Sequence, residues 1–590
     1  MFMKRLLFIF LLFLSPNVIN TLAQKAVTID KTGKSGHKQG KVILVTPPDK
    51  GYCNAVILKA FEEAAKAKGH PTTIQLQLGR YVFGRDESIH QRYLISNTAS
   101  ENEDPDQVKH IALQLKGLKN ITIDGDGSTL LMDGEMTSFI IDSCRNITLK
   151  NFHLDFVAPT QTEIEIIEQG KNHLLAKVHP TSHYKIENEK LIWQGNGWSF
   201  SEGIAQTYDR KEDVTWRSWC PLDGLKSTVE LQPGLLWMNY QEKPDTPPGM
   251  VFQMRDAIRD EVCGLIQYSR DIRLENIRIY YAGNFGIVSQ YSENLAFEQL
   301  YFEPEPGSGR TNTGFADFLQ VSGCKGKVQI QNCRFTGAHD DPINVHGTHL
   351  QVIEYLSDRK VKLGFMHPQT FGFHAFFPGD EVAFINSNTL LPVVEAKVKK
   401  VTRVDDRHVI IEIDRQLPET VRSTELVAVE NLTWTPEVVI RNNYFSRIPT
   451  RGILVTTRKK VVIEDNTFYR MQMSAILIAD DARSWFESGP VTDVTIRRNK
   501  FIECGEPVIN VAPENNVYAG AVHHNISVTE NHFQLKGETA VKARCTDGVT
   551  IAGNLIGLPD ENKKKSVVII EQCEKVNVRD NQFYQRSSGF

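Results

Sequence analysis

The chain has 590 residues, 41% apolar and 23% charged, with a formal net charge of −4. That is long enough for several domains or one repeat architecture, and apolar enough to bury a large core. The mild negative charge excludes nucleic acid and anionic membrane as the main partner.

The N-terminal stretch "MFMKRLLFIFLLFLSPNVINTLAQ" sets Lys4 and Arg5 before the apolar run Leu6–Leu14, with small residues near Ala23. It reads as a signal peptide over residues 1–23, so export is expected. No Cys follows the run, which argues against a lipid anchor, and no later stretch approaches 18 apolar residues, so no membrane span is expected. Next, "NAVILKAFEEAAKAKG" (54–69) predicts a helix that caps a solenoid. Asn54 is its expected N-cap, Val56, Ala60, Phe61 and Ala64 its apolar face, and Gly69 its stop. "TIQLQLGRYVF" (73–83) then begins the first coil.

From there the chain repeats itself. Alternating β-formers, an Asn, one residue and an apolar residue recur around Asn151, Asn276, Asn332, Asn443, Asn466, Asn499, Asn531, Asn554 and Asn581. The last six are separated by 23, 33, 32, 23 and 27 residues. Each step carries a second short strand, such as "DFLQV" (317–321), "PINVHG" (342–347) or "RGILVTT" (451–457). Strands this short cannot bury an apolar face alone, but they can when stacked on copies of themselves. The fold class is therefore all-β: a right-handed parallel β-helix with a stack of asparagines at one corner. Leucine-rich repeats lack support, because their Leu spacing and constant length are missing. The nine cysteines are odd in number and form no C-x-x-C pair; Cys144, Cys324, Cys545 and Cys573 each precede a strand. They read as small buried corner residues rather than as disulfides.

Two jumps interrupt the count, 125 residues from Asn151 to Asn276 and 111 from Asn332 to Asn443. Each contains alternating segments of an antiparallel β-unit, such as "TEIEIIEQ" in the first and "DEVAFIN" in the second. The expected division is 24–159 for the N-terminal coils and cap, 160–250 for one inserted β-barrel-like domain and 251–347 for the central coils. A second such domain follows over 348–432, and the C-terminal coils over 433–590.

The central coils carry the chemistry. "GFADFLQVSG" (314–323) and "GAHDDPINVHG" (337–347) are one coil apart, a displacement of ~4.8 Å. Aligned through their glycines, Asp317 meets Asp340; aligned through "FLQVSG" and "PINVHG", it meets Asp341. Either way three carboxylates gather on one flank. Crowding raises the pKa of one member, so one acid stays protonated while another is ionised, which is what glycoside hydrolysis requires. A lone Asp at such a turn usually caps backbone N–H groups, but an Asp pair one coil from a third Asp favours catalysis. His339, Asp340, Asp341, His346 and His349 also offer metal-ligating side chains, yet their spacing fits no zinc signature. No metal or other cofactor is expected.

A β-helix bearing "FADFLQVSGC", then "GAHDDPINVHGTHLQV", then a mid-chain β-insertion resembles glycoside hydrolase family 110, the bacterial exo-α-1,3-galactosidases, from about residue 25 to the end. The resemblance implies metal-free hydrolysis with inversion of terminal α-1,3-linked galactose, including that of the blood group B antigen. It implies Asp317 as general acid and the pair Asp340 and Asp341 as activators of water. It also implies a bacterial periplasmic, surface or secreted location. One coil is closer to the ~5 Å of a retaining pair than to the ~6.5–9.5 Å of an inverting one, so spacing alone does not give inversion. His339, Gln320, Asn344 and Arg451 are candidates to bind sugar or orient a carboxylate. Five tryptophans fall in the first insert, and Trp198 and Trp216 are candidate platforms for the apolar face of galactose, the alternative being that they form the insert's own core. Rival readings are a polygalacturonase-like hydrolase, which lacks here its Gly-His-Gly and Arg-x-Lys motifs, and a non-catalytic carbohydrate-binding β-helix. The expected partner is a glycan with terminal α-galactose; oligomeric state, a homodimer included, is left open.

Overall fold

A computed structural model describes residues 27–30, 40–242 and 245–586. The leader over 1–23 lies outside the described residues. The body is a parallel β-helix. In one sheet Arg145–Phe156, Arg270–Ile279 and Glu293–Phe302 pair in parallel register, and the stack continues through Lys325–Gln331 and Glu437–Arg441 to Glu574–Arg579. A second sheet includes Leu319–Ser322, Ile343–Thr348, Ile453–Val455 and Ile476–Ile478, each pairing with the next. Strand side chains alternate in direction. Leu319, Val321, Ile343, Val345, Ile453, Val455, Ile476 and Ile478 accordingly point inward, into one buried cluster that fills the lumen. Stacked coils also bring like residues together. Phe335, Phe445, Phe468, Phe501 and Phe533 form a column with ring centroids 5.1, 4.6, 5.0 and 4.8 Å apart, close to the ~4.8 Å strand spacing.

The corner asparagines form two columns, where the sequence pattern suggested one. Asn151, Asn276, Asn332 and Asn442 lie in an outer column with φ of 60°, 51°, 58° and 57°, which continues through Asp465, Arg498 and Glu530. Asn suits this left-handed position because its short side chain tolerates positive φ. The inner column begins where Cys333 N–H donates to Asn443 Oδ1 (2.8 Å). It then runs Asn443, Asn466, Asn499, Asn531, Asn554, Asn581, each Nδ2 donating to the next Oδ1 at 2.8–3.1 Å. Asn332 therefore aligns with Asn442 rather than with Asn443, and the coil step across the second insert is 110 residues.

The capping helix spans Asn54–Ala65 and buries Val56, Ile57, Ala60, Phe61 and Ala64. Its N-cap is Cys53 rather than Asn54, whose amide instead bonds the N–H and carbonyl of Gly84 at 3.0 Å each. The sheet also starts before residue 73, since Lys41–Val45 pairs in parallel with Thr72–Leu76. All nine cysteines are free and eight are buried.

Both interruptions are antiparallel β-units. The first holds a seven-stranded sheet in which Thr162–Gln169 pairs with Met250–Arg255, so its two ends leave the helix side by side. The second is a closed six-stranded barrel that begins with Leu350–Ser357 and ends with Val427–Asn431, which pair with each other. Neither breaks the stack, because each starts and finishes at neighbouring points of one coil.

Candidate active site

The register decides between the two alignments of the acidic phrases. Leu319 pairs with Ile343 and Gln320 with Asn344, an offset of 24, so Asp317 stands beside Asp341 and Asp340 lies diagonally. Backbone bonds pin this: Phe318 N–H donates to Asp341 O (3.3 Å) and Leu319 N–H to Pro342 O (2.9 Å). Gly337 makes the turn ahead of the Asp pair at φ +76°, and a Cβ there would sit 3.0 Å from Thr311 O. One coil on, Arg451 reaches back. Its Nε meets Asp341 Oδ1 at 3.0 Å, its Nη2 meets Oδ2 at 2.9 Å, and its backbone N–H also donates to Oδ1 (3.1 Å). Asp340 has no such clamp; the nearest guanidinium nitrogens, on Arg217 and Arg451, are 3.9 and 4.0 Å away, and its side chain is 25% exposed.

These groups line an open recess of about 600 Å³, mouth included, a size suited to a small ligand. Its floor is the outward face of the second sheet, with Asn344, Leu454, Thr456, Leu477 and Ala479. Asn97 and Arg259 line one side, and the loop carrying Asp481, Trp485 and Glu487 lines another, with Glu514 beyond it. The barrel insert braces this wall: His367 stacks on Trp485 (centroids 4.4 Å, 25°) and Gln369 accepts from Arg259 (2.6 Å). Glu487 is held by an antiparallel bridge to Thr348, and its Oε1 accepts from Asn97 Nδ2 (3.2 Å) and Asn344 Nδ2 (3.3 Å).

Burial pushes the Asp317 carboxyl well above the usual carboxylate range, and the charges of Asp340 and Asp341 add to it. Asp341 is pushed up to about 6, because burial and Asp340 outweigh Arg451. The trio thus sets Asp317, whose surroundings favour the protonated form most strongly, beside Asp341, which gives up its proton more readily.

Of the other residues singled out in the sequence, Asn344 and Arg451 are in the recess. His339 is not: it is buried, with Nδ1 against Gln161 Nε2 and Nε2 against Gln253 Oε1, both at 2.8 Å. Gln320 is fully buried against His346 (3.1 Å). Trp198 belongs to the core of the first insert, and Trp216 is half-buried on its strand Val214–Ser218; neither lines the recess. The aromatic surface at the recess is Trp485, 43% exposed. Trp485, Glu487, Arg259 and Asn97 escaped the sequence reading. One signal for the first two was present: the step from Asn466 to Asn499 is 33 residues where its predecessor is 23, and the surplus is the loop around 480–489.

Three family models match the chain: "GLAA-B beta-barrel domain I" over 162–252, "GLAA-B beta-barrel domain II" over 360–427 and "Right handed beta helix region" over 427–556. The chain is 52% identical over 547 residues to "Alpha-1,3-galactosidase A" of Bacteroides thetaiotaomicron, covering 92% of this chain and 96% of that one. The chain belongs to the alpha-1,3-galactosidase family. It is also 36% identical to "Alpha-1,3-galactosidase A" of Akkermansia muciniphila (88% and 85% covered) and 33% identical to "Alpha-1,3-galactosidase B" of B. thetaiotaomicron (87% and 86%). Members of such a galactosidase family are glycoside hydrolases, and their chemistry calls for a proton donor and a water-activating carboxylate around one bond.

Proposed function

We propose that the protein is an exo-acting α-1,3-galactosidase of glycoside hydrolase family 110. It removes terminal galactose from branched blood group B structures, with linear galactose-α-1,3-galactose as the second substrate to try. Asp317 protonates the glycosidic oxygen as its bond to C1 breaks. Asp340 and Asp341 hold and deprotonate the water that attacks C1 from the opposite face. Arg451 keeps Asp341 in place, which leaves Asp340 as the carboxylate with an open side. The observation that carries this reading is the 24-residue register, which packs a buried, proton-holding Asp317 against an ionisable pair. The diagonal placement of Asp340 supports inversion, because it opens a wider gap than the rung itself. The leader, Lys4 to Ala23, supports export to the periplasm or cell surface.

The deciding experiment incubates pure protein with the B trisaccharide and the linear disaccharide and follows the product by NMR. Free galactose appearing first as the β-anomer is expected; the α-anomer would mean retention, and no release would end the reading. The pH profile should fall on its acid side near pH 6, as Asp341 takes up a proton, and on its basic side as Asp317 loses one.

A further inference from the structure

Asn344 touches two acids at once. Its Nδ2 lies 3.4 Å from Asp317 Oδ2 and 3.3 Å from Glu487 Oε1, and Asn97 Nδ2 donates to that same Glu487 oxygen at 3.2 Å. A side-chain amide can turn either its oxygen or its nitrogen toward such a pair. Glu487 decides the matter: its Oε1 is an acceptor, already taking the hydrogen bond from Asn97, and an amide oxygen facing it is repelled where an amide N–H is not. Asn344 Oδ1 is buried without a hydrogen-bond partner among the described residues, so no bond of its own holds the amide this way round. Asp317 Oδ2, facing a donor, then has no hydrogen of its own.

We propose that Glu487 is a positioning residue which, by orienting the Asn344 amide, keeps the proton of the general acid on Asp317 Oδ1. The inference rests on Asp317 being that acid. From Oδ1 the proton passes to the glycosidic oxygen as the C1–O bond breaks; on Oδ2 it would be held against Asn344. The arrangement is rigid, because Glu487 bridges to Thr348 at the end of the strand that carries Asn344. Asp317 faces Asp340, Asp341 and Glu487 and the cations Arg259 and Arg451, while Glu487 also faces His346 Nε2 at 3.5 Å, His367 and Glu514. Glu487 therefore adds to the negative surroundings that favour the proton on Asp317.

Glu487→Gln removes the charge and offers an amide that accepts Asn344 either way round. The test compares kcat/KM of the full-length protein on galactose-α-1,3-galactose and on α-galactosyl fluoride, whose leaving group needs little protonation. Glu487→Gln should lose ~10–100-fold on the disaccharide and stay within about threefold on the fluoride, since only the former needs the acid. The basic limb of the disaccharide profile should move to lower pH, and Glu487→Asp should recover part of the rate. Asn344→Ala is the second variant: lost contacts on the recess floor can slow both substrates, but its loss on the disaccharide should exceed its loss on the fluoride by ~10-fold or more. An equal loss on both substrates, or no loss on either, overturns the positioning role. Asp317→Asn separates this from the underlying reading: if it loses the fluoride as completely as the disaccharide, the acid assignment fails whatever Glu487→Gln does.

Discussion

The two edges of the same coils behave differently. At the corner edge, consecutive asparagines meet at 2.8–3.1 Å whether the coil between them holds 23, 27, 32 or 33 residues. At the recess edge the length varies freely: an entire six-stranded barrel, the loop bearing Trp485 and Glu487, and the loop bearing Glu514 all emerge there. A solenoid needs only one edge and its lumen to hold register. The other can be elaborated, and what is built there inherits fixed positions from the stack beneath it. The acids sit at the boundary, on backbone set by the register and under walls made of variable chain.

Breaking the chemistry without touching the stack should give the largest effect. Asp317→Asn keeps size and shape but removes the transferable proton, so turnover of the disaccharide should fall by ~10²–10⁴-fold. Its folded-state pKa is raised, so its ionisation works against folding, and stability drops as pH rises from the unfolded value through the folded one. Asp317→Asn removes that penalty, and a thermal melt at pH 7 should show a Tm equal to or above that of the parent. A lower Tm together with unchanged turnover would reverse the assignment.

Breaking the stack without touching the chemistry comes next. Asn499 accepts from Asn466 N–H and Nδ2 at 3.0 Å each, and donates to Asn531 Oδ1 (3.0 Å) and Ile463 O (2.9 Å). Asn499→Ala leaves buried donors and acceptors unpaired, which should cost about 3 kcal/mol in urea unfolding. Activity at 25 °C should be unchanged, because the inner column faces away from the recess. Lost activity in a folded Asn499→Ala protein would mean the two edges are not independent.

The difference between the edges also explains what could be read from the sequence. Lumen-facing residues recur with period two, so Leu319 with Val321 and Ile343 with Val345 announced their strands and, with them, the offset of 24 as one of two choices. The corner was misplaced by one residue because Asn serves both columns, tolerating positive φ in one and bonding through its amide in the other. Asn332 and Asn443 therefore looked equivalent. Trp198 and Trp216 were plausible platforms because a sugar-binding ring and a core ring are the same side chain; only burial separates them. The long step from Asn466 to Asn499 marks the loop that bears Glu487 but not the residue, and Asn97 carries no pattern at all. Glu487 and Asn97 lie 390 residues apart in the chain and meet through the bridge at Thr348 and the packing of the segment around residue 97.

The smallest effect should come from the wall. Trp485 presents an exposed ring to the recess, backed by His367, and stacking of this kind contributes ~0.5–1.5 kcal/mol. Trp485→Ala should therefore raise KM for the disaccharide by up to about tenfold and change kcat little, since the ring holds sugar but moves no proton. The loop itself should persist. Asp481 accepts backbone N–H groups of Arg483 (2.8 Å), Ser484 (3.0 Å) and Phe486 (3.1 Å), and Glu487 is anchored to Thr348, none of which involves the indole. That makes the split between KM and kcat interpretable. A fall in kcat with KM unchanged would place the ring among the groups that act on the transition state, and the wall would then be as much a part of the catalytic geometry as the coils that carry the acids.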